Sequence, residues 1–228
     1  MQTFASNTLD FLFPRSCVVC GDLLLKKEME VCWSCWSELP FSLHGYGPDN
    51  PLAKSLFGRI ALHGAYYFLL YERGASVSKV LKAIKYEGAK TMAFRLGEEI
   101  GRKLLKSNIT GPFSHLIPIP MHPKKEKIRG YNPACILAQG ISKSMGIPVV
   151  ENFLVKGKET SSQTLRGRLD RWYQTEGNFE CNFKGEKFTH PVLVDDVFTT
   201  GATIERCLEA LYLVSFPKAS VISLALTV

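Results

Sequence analysis

The chain has 228 residues, of which 46% are hydrophobic and 21% are charged, so it is neither a disordered tail nor too small for a sizeable core. Its formal net charge of +7 suits a polyanionic partner, although a moderately basic solvated surface would give the same value. No apolar run reaches the roughly 18 residues of a membrane helix. The first residues carry no charged and apolar secretion signal, and we therefore expect a cytoplasmic protein without a membrane span.

Four of the seven cysteines form two C-x-x-C pairs near the start of the chain. Four thiolates at this spacing can surround one tetrahedral Zn²⁺, which would supply folding free energy to a segment too small for a core of its own. A redox pair and a chance cluster are the alternatives. A catalytic zinc is not expected, because four cysteine ligands leave no open coordination position. The predicted zinc ligands are Cys17, Cys20, Cys32 and Cys35.

The chain divides into a small and a large part. Residues 1–13 predict a short amphipathic helix. Residues 41–56 are rich in Gly, Pro, Asn and Ser and are typical of a linker. We therefore predict a domain boundary near residue 55, with the helix, the cysteine segment and the linker over 1–55 and a second domain over 56–228.

Beyond this boundary, apolar residues alternate between the period of a strand and that of a helix. This alternation predicts an α/β fold with a mostly parallel central sheet that is flanked by helices on both faces. The first helix carries lysines on its other faces, and solvation is the default interpretation for Lys79, Lys82 and Lys85. The predicted strands lie within 60–72, 115–120, 192–194 and 219–226, and the predicted helices lie within 77–84, 91–105, 134–145 and from 201 onward.

A cationic loop follows the strand over 115–120, because prolines at a strand end cannot donate to the sheet and the chain must leave it there. Open α/β folds bind ligands beyond the C-terminal ends of their strands, and a pyrophosphate would suit the charge of this loop. An ordinary basic turn is the alternative for each lysine. A guanidinium can grip phosphate oxygens bidentately, which favours a functional role for Arg129. The cations of the loop are Lys124, Lys125, Lys127 and Arg129.

The segment over 156–179 is long, polar and rich in arginine. Loops of this length are often lids, and a lid that carries arginines could close over a phosphorylated ligand and exclude water. The segment could equally contact a nucleic-acid backbone, with Trp172 or Tyr173 stacking on a base. Its clustered arginines are Arg166, Arg168 and Arg171.

The most informative stretch is a buried strand over 192–194 that is followed by two acids, a Thr/Gly loop and a helix. Backbone N–H groups at a helix N-terminus bind phosphate, and Gly201 lets the backbone turn sharply and approach an anion. Asp195 and Asp196 would repel a phosphate, but carboxylates accept hydrogen bonds from vicinal sugar hydroxyls. The stretch predicts a sugar with a phosphate on its exocyclic carbon, and a strand–turn–helix with a threonine cap is the alternative.

This stretch resembles the phosphoribosyl pyrophosphate (PRPP) motif of the type I phosphoribosyltransferases, which is an apolar strand, two acids, two variable residues and then Thr-Thr-Gly-Ala-Thr. The resemblance implies that Asp195 and Asp196 hold the ribose hydroxyls. It also implies that the 5′-phosphate is held by Thr199, Thr200, Gly201, Ala202 and Thr203.

Further motifs narrow the resemblance, and they occur in a fixed order: the double C-x-x-C, Lys-Tyr-Glu-Gly at 85–88, Ile-Pro-Ile-Pro at 117–120, Arg-Gly-Tyr-Asn at 129–132 and Ser-Gln-Thr at 162–164. Together with the PRPP motif they are similar to the ComF family of competence-protein-F-like proteins, which join a zinc knuckle to a type I phosphoribosyltransferase domain. The resemblance implies PRPP binding with Mg²⁺. It also implies a role in handling single-stranded DNA together with the DNA-uptake machinery.

The same resemblance assigns roles to individual side chains. The residues with an implied catalytic role are Asp195, Asp196 and Arg129. The implied pyrophosphate-binding residues are Pro118, Ile119, Pro120, Lys124 and Arg129. The implied lid or nucleic-acid contacts are Gln163, Arg166, Arg168 and Arg171.

One departure from the wider superfamily bears on activity. Its purine-salvage members carry an Asp at the position of Thr199 as a proton acceptor near the base, and a threonine cannot act as a base near neutral pH. We therefore predict against hypoxanthine or guanine salvage in that form.

Two functions remain. The first is a PRPP-binding protein of the competence type that uses its pocket as a sensor, and the second is a Mg²⁺-dependent transferase that displaces pyrophosphate from PRPP onto an unidentified acceptor.

Overall fold

Strands and helices alternate along the chain as the apolar patterns predict. The computed structural model describes residues 14–72, 75–107, 113–156, 179–182, 188–214, 216 and 218–227. The strands are β1 (Gly64–Tyr71), β2 (His115–Pro118), β3 (Leu154–Lys156), β4 (Phe179–Cys181), β5 (Pro191–Phe198) and β6 (Ser220–Thr227). The helices are α1 (Trp33–Ser37), α2 (Pro51–Leu56), α3 (Ser76–Tyr86), α4 (Lys90–Lys106), α5 (Pro123–Arg129), α6 (Pro133–Met145) and α7 (Ala202–Leu213).

Two predicted segments lie outside the described residues. One is the amphipathic helix over 1–13, and the other is most of the polar segment over 156–179. The residues of that segment with an implied lid or nucleic-acid role, Gln163, Arg166, Arg168 and Arg171, also lie outside the described part of the chain.

Four strands form the central sheet in the order β1-β6-β5-β2, and each neighbouring pair is parallel. Parallel strands are covered on both faces, which explains the unbroken apolar run of Val192, Leu193 and Val194. A parallel bridge from Leu116 to Val149 extends the sheet beyond β2. The strands β3 and β4 form a separate antiparallel pair. The predicted α/β class with a mostly parallel sheet is therefore confirmed.

The sheet separates two apolar clusters, because consecutive residues of a strand point to opposite faces. Val192 and Val194 pack with α3, α4 and α6, whereas Leu193 packs on the other face with α2 and α7. Both clusters contain large side chains that are almost fully buried, for example Phe68 in the first and Phe198 in the second. The C-terminal edge of the sheet, where β2 and β5 end, lies between these two helical layers.

The helices α4 and α6 approach each other through glycines. A Cβ atom on Gly97 would lie 2.2 Å from the carbonyl oxygen of Leu137, and one on Gly140 would lie 2.0 Å from the carbonyl oxygen of Phe94. No side chain fits between backbones at this separation. The contact fixes α6, and with it the loop that leads from β2 into α6, relative to the sheet.

Residues 41–56, whose composition is typical of a linker, contact the sheet. Phe41 and Gly47 form backbone bridges with Leu69 and Ala65 of β1. The end of this segment forms α2, which is buried in the cluster on the α7 side. Proline at its first position and an asparagine N-cap favour this short helix. The division of the chain near residue 55 stays a prediction.

The cationic loop over 121–132 contains the short helix α5. The helix begins after His122, whose Nδ1 accepts a hydrogen bond from the Lys124 N–H at 3.1 Å, and it ends at Gly130 with φ of +77°. Proline at the start and a left-handed glycine at the end are the usual boundaries of a helix. The helix buries none of its residues, so no apolar period marks it in the sequence.

We expect Gly140→Ala to lower the free energy of unfolding by about 1–3 kcal/mol, because the added methyl group meets backbone atoms that cannot move aside. In an open helix the same change would stabilise by about 0.5–1 kcal/mol, so the sign of the effect tests the contact. Urea denaturation followed by circular dichroism measures it. A Cβ on Gly45 meets nothing within 4 Å, so Gly45→Ala is the control and should change stability by less than about 0.5 kcal/mol. A Gly140→Ala variant as stable as the wild type would contradict the tight contact.

Candidate functional site

The cysteines of the two C-x-x-C pairs converge at one point. The sulfur atoms of Cys17, Cys20, Cys32 and Cys35 all lie within 4.8 Å of one another, and Cys20 Sγ is 3.8 Å from Cys32 Sγ. Four thiolates at these separations match the tetrahedral coordination of a structural Zn²⁺. The predicted zinc-binding segment with four cysteine ligands is therefore confirmed.

Cys17 is buried, and the backbone around it stabilises its thiolate. The N–H groups of Val19 and Cys32 each donate to Cys17 Sγ at 3.4 Å. Burial alone would raise the pKa of this thiol, but backbone hydrogen bonds from Cys20, Cys32 and Val19 bring the pKa down to about 6. These hydrogen bonds favour the thiolate of Cys17, which is the form in which sulfur binds a metal.

Glu28 connects the two cysteine pairs although it is not a ligand. Its side chain is buried, and its carboxylate accepts hydrogen bonds from the N–H groups of Leu25 at 2.7 Å and of Trp33 at 2.8 Å. Trp33 directly follows Cys32, so this contact fixes the second cysteine pair. Arg15 Nη1 donates to the carbonyl oxygen of Glu28 at 3.2 Å. The role of Glu28 was not predicted from the sequence, because a single acid between two cysteine pairs carries no spacing signal.

The zinc segment rests on α3 and on the sheet. Lys79 Nζ, in the first half of α3, donates to the carbonyl oxygen of Val19 at 2.5 Å. The ring of Trp36 lies 5.4 Å from that of Phe41, which in turn lies 5.2 Å from Phe68 of β1. The segment therefore shares the apolar cluster on the α3 side of the sheet.

A cleft of about 320 Å³ opens at the C-terminal ends of β2 and β5. This is the edge at which open α/β folds bind ligands. Of the residues with a predicted role, those that line the cleft are Ile119, Pro120, Arg129, Asp195, Asp196 and Thr203, together with Lys125 of the cationic loop. The other described residues with a predicted role lie outside its walls: Pro118 in β2, Lys124 on α5, and Thr199, Thr200, Gly201 and Ala202 between β5 and the first turn of α7.

Cations outnumber acids in the walls of the cleft. Among the described residues that line it there are five cations and two acids, so a polyanionic ligand would be favoured. Polar and charged lining residues that the sequence analysis left without a role are Lys85, His122, Asn132, Lys156 and Arg206. Arg206 lies three positions after Thr203 on α7, and this spacing on one helix face could have revealed it. The position of Lys85 depends on a contact between distant parts of the chain, which no local pattern shows.

The two acids follow the alternation of a strand and point to opposite sides of the sheet. Asp196 turns toward α3, where its Oδ2 atom lies 3.2 Å from Lys85 Nζ. Asp195 lies on the α7 side, where its charge acts on the Cys207 thiol, and its Oδ1 accepts the Asp196 N–H at 2.9 Å.

The charge of the pair is only partly compensated. Burial and the neighbouring Asp196 charge raise the pKa of Asp195 to about 7, although the Asp196 N–H and Lys85 act in the opposite direction. A ligand that donates hydrogen bonds or brings positive charge to Asp195 would relieve this repulsion, which is the chemistry of a polyol or of a cation.

Gly201 shapes the turn from β5 into α7. Its φ is +78°, and a Cβ atom there would lie 2.8 Å from Phe198 Cζ and 2.9 Å from Leu56 Cδ2. A side chain at this position would therefore be strained and would also clash with the core. As the N-cap of α7, Gly201 has no side chain to occupy the N–H groups of the first turn.

Arg59 holds the Thr/Gly loop against the end of α2. Its Nη1 donates to the carbonyl oxygen of Thr200 at 2.8 Å, and its guanidinium forms an ion pair with Glu205 in the first turn of α7. The loop conformation is thus fixed by contacts outside the motif itself, and its threonine side chains at positions 199, 200 and 203 remain exposed.

The Gly-Tyr-Asn run that follows Arg129 braces one wall of the cleft. The buried Tyr131 donates its hydroxyl hydrogen to the carbonyl oxygen of Ile84 near the end of α3. Asn132 caps α6 with its Oδ1 atom, and its Nδ2 donates to the carbonyl oxygen of Ile119 at 2.9 Å. Tyr131 and Asn132 therefore tie together α3, α6 and the turn after β2, which are the elements around the cleft.

We expect protein purified without added metal to hold about one zinc per chain. Cys17→Ser should lose this metal and lower the melting temperature, because metal binding supplies folding free energy to so short a segment. Cys135→Ser, outside the cluster, is the control and should keep its zinc. Inductively coupled plasma mass spectrometry and thermal unfolding make the comparison. A wild-type chain without bound metal would contradict the zinc assignment.

We expect Asp195→Asn to raise the free energy of unfolding at pH 8 by up to about 4 kcal/mol. The folded-state pKa of about 7 lies above the ordinary value of 3.8, so this carboxyl stabilises the fold most in acid, and that contribution is lost as the pH rises toward 7. The difference in free energy of unfolding between the variant and the wild type should therefore grow as the pH rises to 7 and stay constant above pH 7.

Urea unfolding at several pH values measures this difference. The exposed Asp49 is the matched control, since Asp49→Asn should change stability by less than about 0.5 kcal/mol at every pH. A difference between Asp195→Asn and wild type that does not vary with pH would show that charge is not its cause.

Known proteins resemble the chain over its cysteine segment and over most of its length. Residues 8–46 match the family model described as a double zinc ribbon domain. The chain is 32% identical over 93 residues to competence protein F of Haemophilus influenzae, an alignment that covers 40% of this chain and 41% of that protein. It is 25% identical over 203 residues to competence protein ComFC of Bacillus subtilis, which covers 81% of this chain and 80% of the relative.

These findings agree with the observed structure. The matched ribbon spans the four converging cysteines, and the longer alignment extends over most of the chain. Within the part of the chain that the structure describes, no helix is both long enough and apolar enough to cross a membrane. The chain is therefore similar to competence proteins of the ComF type over most of its length, and its N-terminal segment carries a zinc ribbon.

Proposed function

We propose that the cleft at the ends of β2 and β5 binds PRPP, a ribose with a 5′-phosphate and a pyrophosphate, and that the chain is a PRPP-binding, phosphoribosyltransferase-like protein. One observation carries this proposal: Asp195, Asp196 and Thr203 line the same cavity as Arg129 and Lys125. Acceptors for sugar hydroxyls and cations for phosphates are thus within reach of one ligand. The volume of about 320 Å³ lies in the range of small-molecule sites.

The 5′-phosphate is assigned to the start of α7. Backbone N–H groups at a helix N-terminus and the positive end of the helix dipole attract an anion. Thr203 in the first turn lines the cleft, and Arg206 lines it about one turn further along the helix. In this assignment Gly201 serves to make the turn, while Thr199, Thr200 and Ala202 contribute backbone and hydroxyl groups at the mouth.

The pyrophosphate is assigned to the wall formed by α5. The guanidinium carbon of Arg129 lies 5.3 Å from the centroid of the Tyr86 ring, a stacking contact that limits its orientations. Lys125, rather than the neighbouring Lys124, lines the cleft, and it takes the second cationic role in the proposal. Ile119 and Pro120 form the turn between β2 and this wall, and Pro118 ends the strand beneath it.

Mg²⁺ is the metal that would accompany PRPP. Carboxylate and phosphate oxygens are the ligands that Mg²⁺ prefers, and the raised pKa of Asp195 marks a place where positive charge would be stabilising. The donor chemistry of Asp195 and Asp196 therefore fits this ion. Bound with PRPP, Mg²⁺ would neutralise charge on the pyrophosphate and make it a better leaving group.

A transferase reaction is the alternative function. It would break the bond between ribose C1 and a pyrophosphate oxygen and form one between C1 and a nucleophile, with Asp195 and Asp196 near the positive charge that develops on the ribose. Thr199 is exposed and offers no general base, so this chain lacks the proton acceptor expected at that position. For this reason we place binding ahead of catalysis.

The names of the two relatives add a cellular role. Both are competence proteins, and we extend a role in DNA uptake and single-stranded DNA handling in the cytoplasm to this chain as part of the proposal. The net charge of +7 is compatible with a nucleic-acid partner. The arginines proposed to contact DNA lie outside the described residues, and their role stays a prediction.

We expect the wild-type protein to bind PRPP saturably in the presence of Mg²⁺ in isothermal titration calorimetry. The double change Asp195→Asn with Asp196→Asn should weaken this binding by at least about tenfold, since hydrogen bonds to charged groups contribute about 1.5–3 kcal/mol each. Asp49→Asn, at an exposed position far along the sequence from the motif, is the control.

A pyrophosphate-release assay across nucleobases separates the two functions. Saturable binding without release on any base favours the sensor, and release with one base favours the transferase. If PRPP gives no saturable binding heat with the wild-type protein, both the sensor and the transferase are contradicted.

A further inference from the structure

Lys85 stands at the boundary between two hollows. It lines the cleft that holds the acid pair, and it also lines an adjoining hollow of about 270 Å³ beside Tyr86, Lys125 and Arg129. Its Nζ atom lies 3.2 Å from Asp196 Oδ2, with side chains that are 23% and 18% exposed. An ion pair sheltered to this degree is screened by salt much less than a surface pair.

The neighbours of Lys85 hold it in place. Ile84 is fully buried, and its carbonyl oxygen accepts the hydroxyl hydrogen of Tyr131. On the other side, the ring of Tyr86 lies under the guanidinium of Arg129. The buried contact of Ile84 with Tyr131 holds the last turn of α3, whereas Tyr86 is 74% exposed and adds a surface contact, and the ammonium group of Lys85 lies against the acid pair.

Lys82 lies on the same helix but, unlike Lys85, is a surface lysine. Its side chain is 69% exposed and pairs with Glu87 at 3.0 Å, which is an ordinary surface ion pair. Lys82 lines neither hollow, so it is a matched reference for a lysine of α3 that lacks the contact with Asp196.

We propose that Lys85 is a positioning residue that serves as the built-in counter-ion of the acid pair. Its ammonium occupies the side of Asp196 that a bare divalent cation would otherwise take. It thereby reserves the cleft for a ligand that brings phosphates together with their own metal. The identity of that ligand rests on the proposed function, whereas the exclusion of a bare cation follows from the contact between Lys85 and Asp196 alone.

Lys85 also affects the binding of a polyanionic ligand. Lys85, Lys125 and Arg129 line both hollows, so the ammonium that compensates Asp196 also adds to the positive field that a pyrophosphate would meet. Removing it should therefore have opposite effects on two ligands: a bare cation should bind more tightly, and a phosphorylated ribose should bind less tightly. If Lys85 had only a structural role, its removal would change both affinities in the same direction or would change neither.

The test is a pair of titrations on zinc-loaded protein. In the absence of PRPP, Lys85→Met should bind Mn²⁺ roughly tenfold more tightly than wild type by electron paramagnetic resonance, because Asp196 loses its internal cation. With Mg²⁺ present, the same variant should bind PRPP roughly tenfold more weakly by calorimetry. Lys82→Met should match wild type in both. Lys85→Arg keeps the charge and should restore the low Mn²⁺ affinity.

A double variant locates the gained metal. Lys85→Met with Asp196→Asn should lose the added Mn²⁺ affinity, since the carboxylate that takes the ion is gone. If Lys85→Met has a much lower melting temperature, Lys85→Gln is used in its place, because glutamine is polar and about as long as methionine. Mn²⁺ affinity unchanged from wild type in the folded variant would overturn the proposal. If the wild-type protein binds no PRPP, the proposed function fails while the Mn²⁺ comparison still decides the role of Lys85.

Discussion

Repulsion between two carboxylates on consecutive residues is the constraint around which the rest of the cleft is arranged. Asp195 and Asp196 stand at the end of a buried parallel strand, where neither is fully hydrated. The chain compensates them in part, and Lys85 acts on both carboxylates. Lys85 reaches Asp196 from α3, and the Asp196 N–H donates to Asp195 on the other side. What is left uncompensated makes the site receptive to a ligand, and it also costs folding stability at neutral pH.

Positioning of the cleft depends on few contacts that span large distances in the sequence. The end of α3 contributes a buried side chain, a cation and an aromatic ring at three successive positions, 84 to 86. Tyr131 and Asn132 connect this helix end to the turn after β2 and to α6. Because α6 is itself packed on α4 through Gly97 and Gly140, the wall of the cleft that α6 supplies is fixed relative to the sheet.

Much of the architecture could be predicted from local patterns. The alternation of strand and helix periods gives the parallel sheet, the cysteine spacing gives the metal site, and the acid pair is recognisable beside its Thr/Gly loop. The sheet, the metal site and the acid pair each depend on residues that lie close together in the sequence. The place of Arg129 and of the cationic loop beside the cleft also follows from their position after a strand end, although the lysine that lines the cleft is Lys125 and not Lys124.

What could not be predicted involves partners far apart along the chain. Lys85 has the helical spacing of a solvated lysine, and its contact with Asp196 becomes visible only when α3 is packed against β5. Residues 41–56 have the composition of a linker, yet they pair with β1 because its edge offers unpaired backbone groups. Glu28 is likewise recognisable as a connector only once both of its N–H partners are in place.

The helix α3 joins the two chemically distinct regions of the molecule. It is 11 residues long, or about 16 Å, and its early turn supports the ribbon through Lys79 while its last turn carries Lys85. Oxidants or chelators that remove the ion from the ribbon would disturb the partner that Lys79 contacts at this end of the helix. One helix thus carries both the hydrogen bond to the ribbon and the ion pair with Asp196, so a displacement of the ribbon would act on the element that positions Lys85.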